Sequence, residues 1–203
     1  MEPIPGLYIF PNFITEAEEA AILKELHDSE RPTAQKWSVE RHTGSHREKR
    51  WGVDHDLWSR ELRPPKHALP DFMDDILLPR FKRLACMKDC IPNDVNAIEY
   101  RKSLGHSLAA HVDDRQKHKE PICNLSLAGD CYMTYRNVKR HHANNYTAPD
   151  EENKVAVLLQ RRTLQVLTGR ARYDYSHGIA NADLPSDGCR VSVTMRETPS
   201  AGV

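Results

Sequence analysis

Two imidazoles and a carboxylate stand out as a candidate metal-ligating set: His111-x-Asp113 and, sixty-six positions after His111, His177. Two His and one carboxylate fill one face of an octahedron around a ferrous ion and leave three positions open for substrate chemistry. Residues two apart on a strand point the same way, so His111 and Asp113 are expected to share one face of one strand. His177 must then arrive from another strand, which a barrel-like sheet can arrange. The run Arg190-x-Ser192-x-x-x-Arg196 follows it. Arginine is planar, permanently charged and donates in pairs, which suits the carboxylates of an organic acid. H-x-D alone is a weak signal in a chain with eleven histidines, where an exposed or core histidine is the ordinary role. The order carries the reading: H-x-D, strand-like runs, His177-Gly178-Ile179, then the arginines.

The elements that must position these groups are legible in places. Residues 7–10 read as an apolar strand. Thr15 and Glu18 form a capping-box signature ahead of a helical face of Ala17, Ile22, Leu23 and Leu26, which predicts a helix to His27 or Asp28. A second helix is predicted over 69–90, interrupted by Pro79. Residues 95–100 alternate as a strand. Residues 122–127 and 131–135 read as two strands joined in a hairpin at Ala128-Gly129-Asp130. A polar insertion over 137–154, including His141-His142, precedes two apolar runs, 155–159 and 163–168, and a last strand follows Gly188. Adjacent histidines on a strand face opposite ways, so His141-His142 are left out of the ligand set.

Composition sets bounds. At 203 residues the chain is read as a single domain able to bury a substantial core. Lysine plus arginine and aspartate plus glutamate both number 29, so any nucleic-acid binding must use a local patch. Mean hydropathy is −0.68, and no apolar run approaches a membrane span. Met1-Glu2-Pro3 opens no secretory signal, so an intracellular protein, nuclear or cytoplasmic, and a monomer are expected. The five cysteines are read as free thiols. Cys86 and Cys90 lie a helical turn apart, but no second Cys/His pair completes a zinc site.

Residues 94–198 resemble the AlkB family of Fe(II)/2-oxoglutarate dioxygenases. Residues 161–179 look like that family's penultimate core strand, and 190–197 like its last. The eleven-residue step from Tyr100 to His111 is most similar to the branch of the fourth animal AlkB homologue. The resemblance implies an α+β fold: a double-stranded β-helix, or jelly roll, over 94–198. Ahead of it would lie an extension over 1–93 with supporting helices and a substrate lid. It implies Fe(II) on His111, Asp113 and His177, with 2-oxoglutarate and O2 as cosubstrates. Arg190 would grip the distal carboxylate and Arg196 the end nearer iron, with Tyr100 adding a hydrogen bond and Ser192 standing where relatives carry asparagine. Ile98 replaces an asparagine usual in the family.

The densest basic segment runs from Arg41 to Arg50 and falls where AlkB relatives place the lid. Arg47, Lys49, Arg50 and Trp51 are the candidate substrate contacts, holding phosphate and stacking a base; the plainer role is a solvated loop with Trp51 and Trp58 plugging the core edge. The activity implied is oxidative removal of N-methyl groups from methyladenine in nucleic acid or from methyl-lysine in protein. A hydroxylase leaving a stable alcohol and a silent binding module on the same fold are the alternatives.

Overall fold

Among the described residues, eleven strands curl into one antiparallel sheet that folds over into the two walls of a jelly roll. In chain order the elements are β1 (Leu7–Phe10), α1 (Glu16–His27), β2 (Ser38–Glu40), β3 (Gly44–Gly52), β4 (Asp54–His55), β5 (Leu62–Arg63) and α2 (Leu78–Phe81). There follow β6 (Asp94–Tyr100), β7 (Ser107–His111), β8 (Ile122–Ser126), β9 (Cys131–Asn137) and β10 (Lys154–Leu159). The chain closes with β11 (Leu164–Leu167), α3 (Gly169–Tyr173), β12 (Tyr175–Ile179) and β13 (Arg190–Arg196). This computed structural model describes residues 2–30, 35–40, 44–55, 61–138, 154–186 and 188–199, with His55 and Leu62 described by backbone alone. The expectations for Arg41, His42, Trp58 and His141-His142 lie outside the described residues.

One wall runs β1-β11-β8-β13-β6-β3 and the other β7-β12-β9-β10. Strand β3 joins them: Gly44 and Ser45 pair with β7, while Arg47 through Gly52 pair with β6. Gly44 makes this switch with φ +122°, and a Cβ there would collide with the Ser107 carbonyl oxygen, so only glycine fits. The jelly-roll expectation holds, and its sheet takes in β1 and β3 from ahead of residue 94.

Period-two alternation sorts the side chains. Val95 and Ala97 on β6 and Val191, Val193 and Met195 on β13 join an outer cluster with Ile22 and Leu26 of α1, Phe72 and Phe81. Each aliphatic group so buried contributes about 1.5–3 kcal/mol, most of it offset by lost chain entropy. The intervening residues, among them Asn96, Tyr100, Arg190 and Ser192, face a cavity between the walls. Helix α1 carries the expected capping box: Glu18 N donates to Thr15 Oγ1 at 3.2 Å and Thr15 N to Glu18 Oε2 at 2.7 Å. Glu18 also accepts from Arg80 at 2.7 Å, tying α1 to α2.

Four expectations are corrected. The second helix ends at Phe81 instead of reaching residue 90. Pro79 has no N–H for the turn before it, where the backbone widens into a π turn over Met73–Leu77 with Leu78 N donating to Met73 O. Past Phe81 the chain continues in three-residue turns, Leu84 N to Phe81 O and Met87 N to Leu84 O. The strands at 122–127 and 131–135 do not pair; β8 lies in one wall and β9 in the other, so Gly129 marks a crossover and not a hairpin. The stretch 161–179 is not one strand, because α3 separates β11 from β12. Residues 44–52, read as lid or loop, form a nine-residue strand inside the sheet.

Candidate active site

The cavity has a volume of about 340 Å³. At one end, β12 lies antiparallel to β7 with His177 directly opposite His111, and the ring centroids are 4.6 Å apart. Asp113 lies two residues past the end of β7, in coil, so strand alternation does not aim it as expected. Side chains elsewhere fix it. Arg172 of α3 donates from Nη1 to Asp113 O at 2.9 Å and from Nη2 to Asp114 O, while Arg115 donates back to Tyr173 O at 2.6 Å. Arg196 Nη2 donates to Asp113 Oδ1 at 3.2 Å. One ligand atom from each of His111, Asp113 and His177 lies within 4.8 Å of the others.

The electrostatics keep Asp113 and His177 in ligating form. Burial alone would raise the Asp113 pKa, but Arg196 foremost, then His177, His111 and Arg172, hold the carboxyl well below its usual range. Burial pushes His177 down to about 4 against the pull of Asp113, so its ring is neutral at pH 7. His111 Nδ1 lies 2.8 Å from Ala109 O, a contact that places a proton on Nδ1 and makes Nε2 the nitrogen that could ligate. This donor set and spacing fit a ferrous ion.

Farther along the same wall, Arg190 is 1 % exposed and its guanidinium lies 5.4 Å from the Tyr100 ring centroid. It donates to Ser192 Oγ at 2.9 Å, Ser126 Oγ at 3.3 Å and Asn124 Oδ1 at 3.5 Å, all neutral acceptors. Its Nε is buried without a partner, and among the described residues no carboxylate is in ion-pair contact with it. A buried cation without a counter-charge is costly unless an anion arrives. Burial drives the Tyr100 phenol well above its ordinary pKa despite the nearby Arg190, so it stays a donor. These groups fit a dicarboxylate.

The structure brings His111, Asp113, His177, Tyr100, Arg190, Ser192 and Arg196 to one cavity. It does not bring the four lid residues there together. Arg47, Lys49 and Trp51 lie on the face of β3 away from the cavity. Arg47 pairs with Glu99 at 3.0 Å, Lys49 Nζ donates to Leu26 O at 2.6 Å, and Trp51 is 6 % exposed in the outer cluster. Only Arg50 reaches the cavity, with His46 and Glu48 on the same face. Sequence reasoning missed Glu48, Asn96 and Asn124 on the cavity wall and the clasp of Arg172 and Arg115. Asn96, two residues before Ile98 on β6, was visible only once that strand's inner face was assigned.

The sequence profile of the 2OG-Fe(II) oxygenase superfamily matches residues 6–196. The chain is 27% identical to an Arabidopsis thaliana "Alkylated DNA repair protein ALKBH8 homolog", over 96% of this chain and 58% of that one. It is 27% identical to the Mus musculus "tRNA (carboxymethyluridine(34)-5-O)-methyltransferase ALKBH8", over 86% of this chain and 24% of that protein. The mouse "Alpha-ketoglutarate-dependent dioxygenase alkB homolog 4" is 23% identical, with 98% and 69% covered. This chain thus spans from a quarter to about three fifths of the first two relatives. Among solved structures, that of OsALKBH1 superposes with a TM-score of 0.64 at 14% identity, covering 96% of this chain and 97% of that one, a likeness of fold.

Proposed function

The chain belongs to the 2OG-Fe(II) oxygenase superfamily, and from that premise we propose that it is an AlkB-type dioxygenase removing N-linked methyl groups from nucleic acid. The observation that carries the reading is the pairing of a His-Asp-His cluster with a buried, uncountered arginine in one cavity. The names of the relatives, which speak of DNA repair and tRNA, support nucleic acid over protein as the substrate.

His111, Asp113 and His177 would hold Fe(II). Arg190 and the Tyr100 hydroxyl would bind the distal carboxylate of 2-oxoglutarate, with Ser192 beside them. Arg196 would serve the cosubstrate end nearer Asp113, which it also orients. Bound Fe(II), 2-oxoglutarate and O2 supply oxidation of a nearby C–H bond, with succinate and CO2 as co-products. An N-methyl group hydroxylated in this way breaks down to formaldehyde. The residues themselves supply position and charge. Asp113 stays ionised, the His177 imidazole stays neutral, and Tyr100 stays protonated.

The test is succinate release from 2-oxoglutarate with Fe(II) and ascorbate, and formaldehyde release when a methylated oligonucleotide is added. Succinate without formaldehyde marks a hydroxylase that leaves a stable alcohol. Absence of both marks a silent binding module, and the proposal fails.

A further inference from the structure

The sheet ends at two strands, and the two ends differ. At one end β1 is four residues long, with Pro5 and Pro11 close on either side, and so short a strand flanked by proline offers little to a further strand. At the other end β10 runs six residues in unbroken register with β9, and its far edge pairs with no strand among the described residues. Its only charge is Lys154, at the first position. No proline, bulge or central lysine blunts it, and an apolar edge of this kind is a template for another strand.

The outer side of the same two strands is apolar as well. Tyr132 and Leu158 stand directly opposite each other there, 47 % and 41 % exposed, with Ala156 beside them. Val155, Val157 and Leu159 alternate with these and turn inward, into the apolar cluster that holds Met133 and Ile179.

The sequence of β10 is self-complementary in one register. A two-fold axis normal to the sheet sets a strand antiparallel to its own copy, and residues opposed across the seam must face the same side. Centred on Val157, Val155 meets Leu159 of the second copy and Val157 meets Val157 on the inner side. On the outer side Ala156 meets Leu158, small against large, and Lys154 meets the exposed Gln160 at the ends. Centred on Ala156 instead, Lys154 would oppose Leu158. Centred on Leu158, Ala156 would oppose Gln160 and Val155 would oppose Arg161.

We propose that two copies of this chain join β10 to β10, antiparallel about Val157, in place of the monomer expected from the sequence. The wall that carries His177 then runs unbroken from one subunit into the other, with both cavities on the same side of the joined sheet. A seam of one strand pair is smaller than a standard protein interface, so the dimer is weak, with a dissociation constant of roughly 1–100 μM. The proposal stands apart from the dioxygenase reading and does not depend on it.

The experiment is sedimentation velocity on the full chain, from about 1 μM to about 300 μM, which brackets that range. Wild type is expected to move from monomer to dimer mass as concentration rises. Ala156→Lys sets a charge against Leu158 of the second copy and brings two new lysines together across the axis, so association should weaken about tenfold or more. Adding Leu158→Glu to Ala156→Lys places each lysine opposite a glutamate, in this register alone, and should restore association to within about threefold of wild type. Both positions face outward, away from the inner cluster. If Ala156→Lys fails to fold in a thermal scan, hydrogen exchange in wild type decides: β10 amides should slow with rising concentration while β1 amides do not. Monomer mass at every concentration, a dimer indifferent to Ala156→Lys, or a double variant as weak as the single overturns the proposal. So does protection of β10 that is equal at all concentrations, the result expected if a segment of the same chain covers the edge.

Discussion

Strands β13 and β3 flank β6 on opposite sides, and both alternate a cavity face with an outer face. On β13 the outer residues are Val191, Val193 and Met195 and the inner ones Arg190, Ser192, Thr194 and Arg196. The period is written in hydropathy, so the arginines could be assigned to the inside from residue types alone. On β3 the inner residues are His46, Glu48 and Arg50 and the outer ones Arg47, Lys49 and Trp51. Both faces carry charge, because Arg47 and Lys49 on the outer face are held to their neighbours by polar contacts while Trp51 alone there joins the apolar cluster. Lys49 meets the last turn of α1, and Arg47 meets the buried Glu99. A basic segment and an amphipathic strand then look alike in sequence. Alternation is a signal only where the two faces differ in polarity.

The largest test of the contrast lies on the legible side. Asp113→Ala should cut succinate release by about a thousandfold or more, since removing a member of a catalytic unit disables the whole. Arg190→Ala should raise the 2-oxoglutarate requirement by roughly a hundredfold, the scale of a lost charge-assisted contact at about 2–3 kcal/mol. Calorimetric titration with 2-oxoglutarate measures it, and an unchanged affinity would falsify the role given to this residue. Iron binding should persist in that variant.

Acid comes next. In metal-free protein the His177 pKa, near 4, lies below its ordinary 6.5, so the unfolded chain binds more protons between those values. The stability held by the neutral ring is present above about pH 6.5 and is lost as pH falls through 4, on the order of 2–3 kcal/mol. Asp113, depressed as well, loses its share at still lower pH, in the same direction. Urea unfolding of the metal-free protein between pH 7 and 4 should show the fall; a flat profile would contradict the burial argument.

The smallest effect separates the two faces of β3. Lys49→Met should cost about 1–2 kcal/mol of stability through the lost Leu26 contact and leave oligonucleotide binding within twofold of wild type. A lid lysine would do the reverse, weakening binding and flattening its salt dependence.

The ends of the molecule's legibility follow from the same physics. The capping box of α1 was readable because its two partners lie three residues apart. The second helix was overextended because apolar residues continue past Phe81, where the backbone goes on in three-residue turns such as Leu84 N to Phe81 O and Met87 N to Leu84 O. Asp113 lies with the two histidines, but its direction comes from Arg172 and Arg196, far along the chain, and not from strand geometry.

The mutual grip of Arg172 on the carbonyls of Asp113 and Asp114, and of Arg115 on that of Tyr173, makes the H-x-D segment and α3 a single mechanical part. Helix α3 runs almost directly into the strand bearing His177, so Asp113 and His177 sit on segments tied into one part. A lesion in that short helix, touching none of the three, would therefore loosen the cluster while the sheet folds well, and if the three hold Fe(II), the ion would be lost with it.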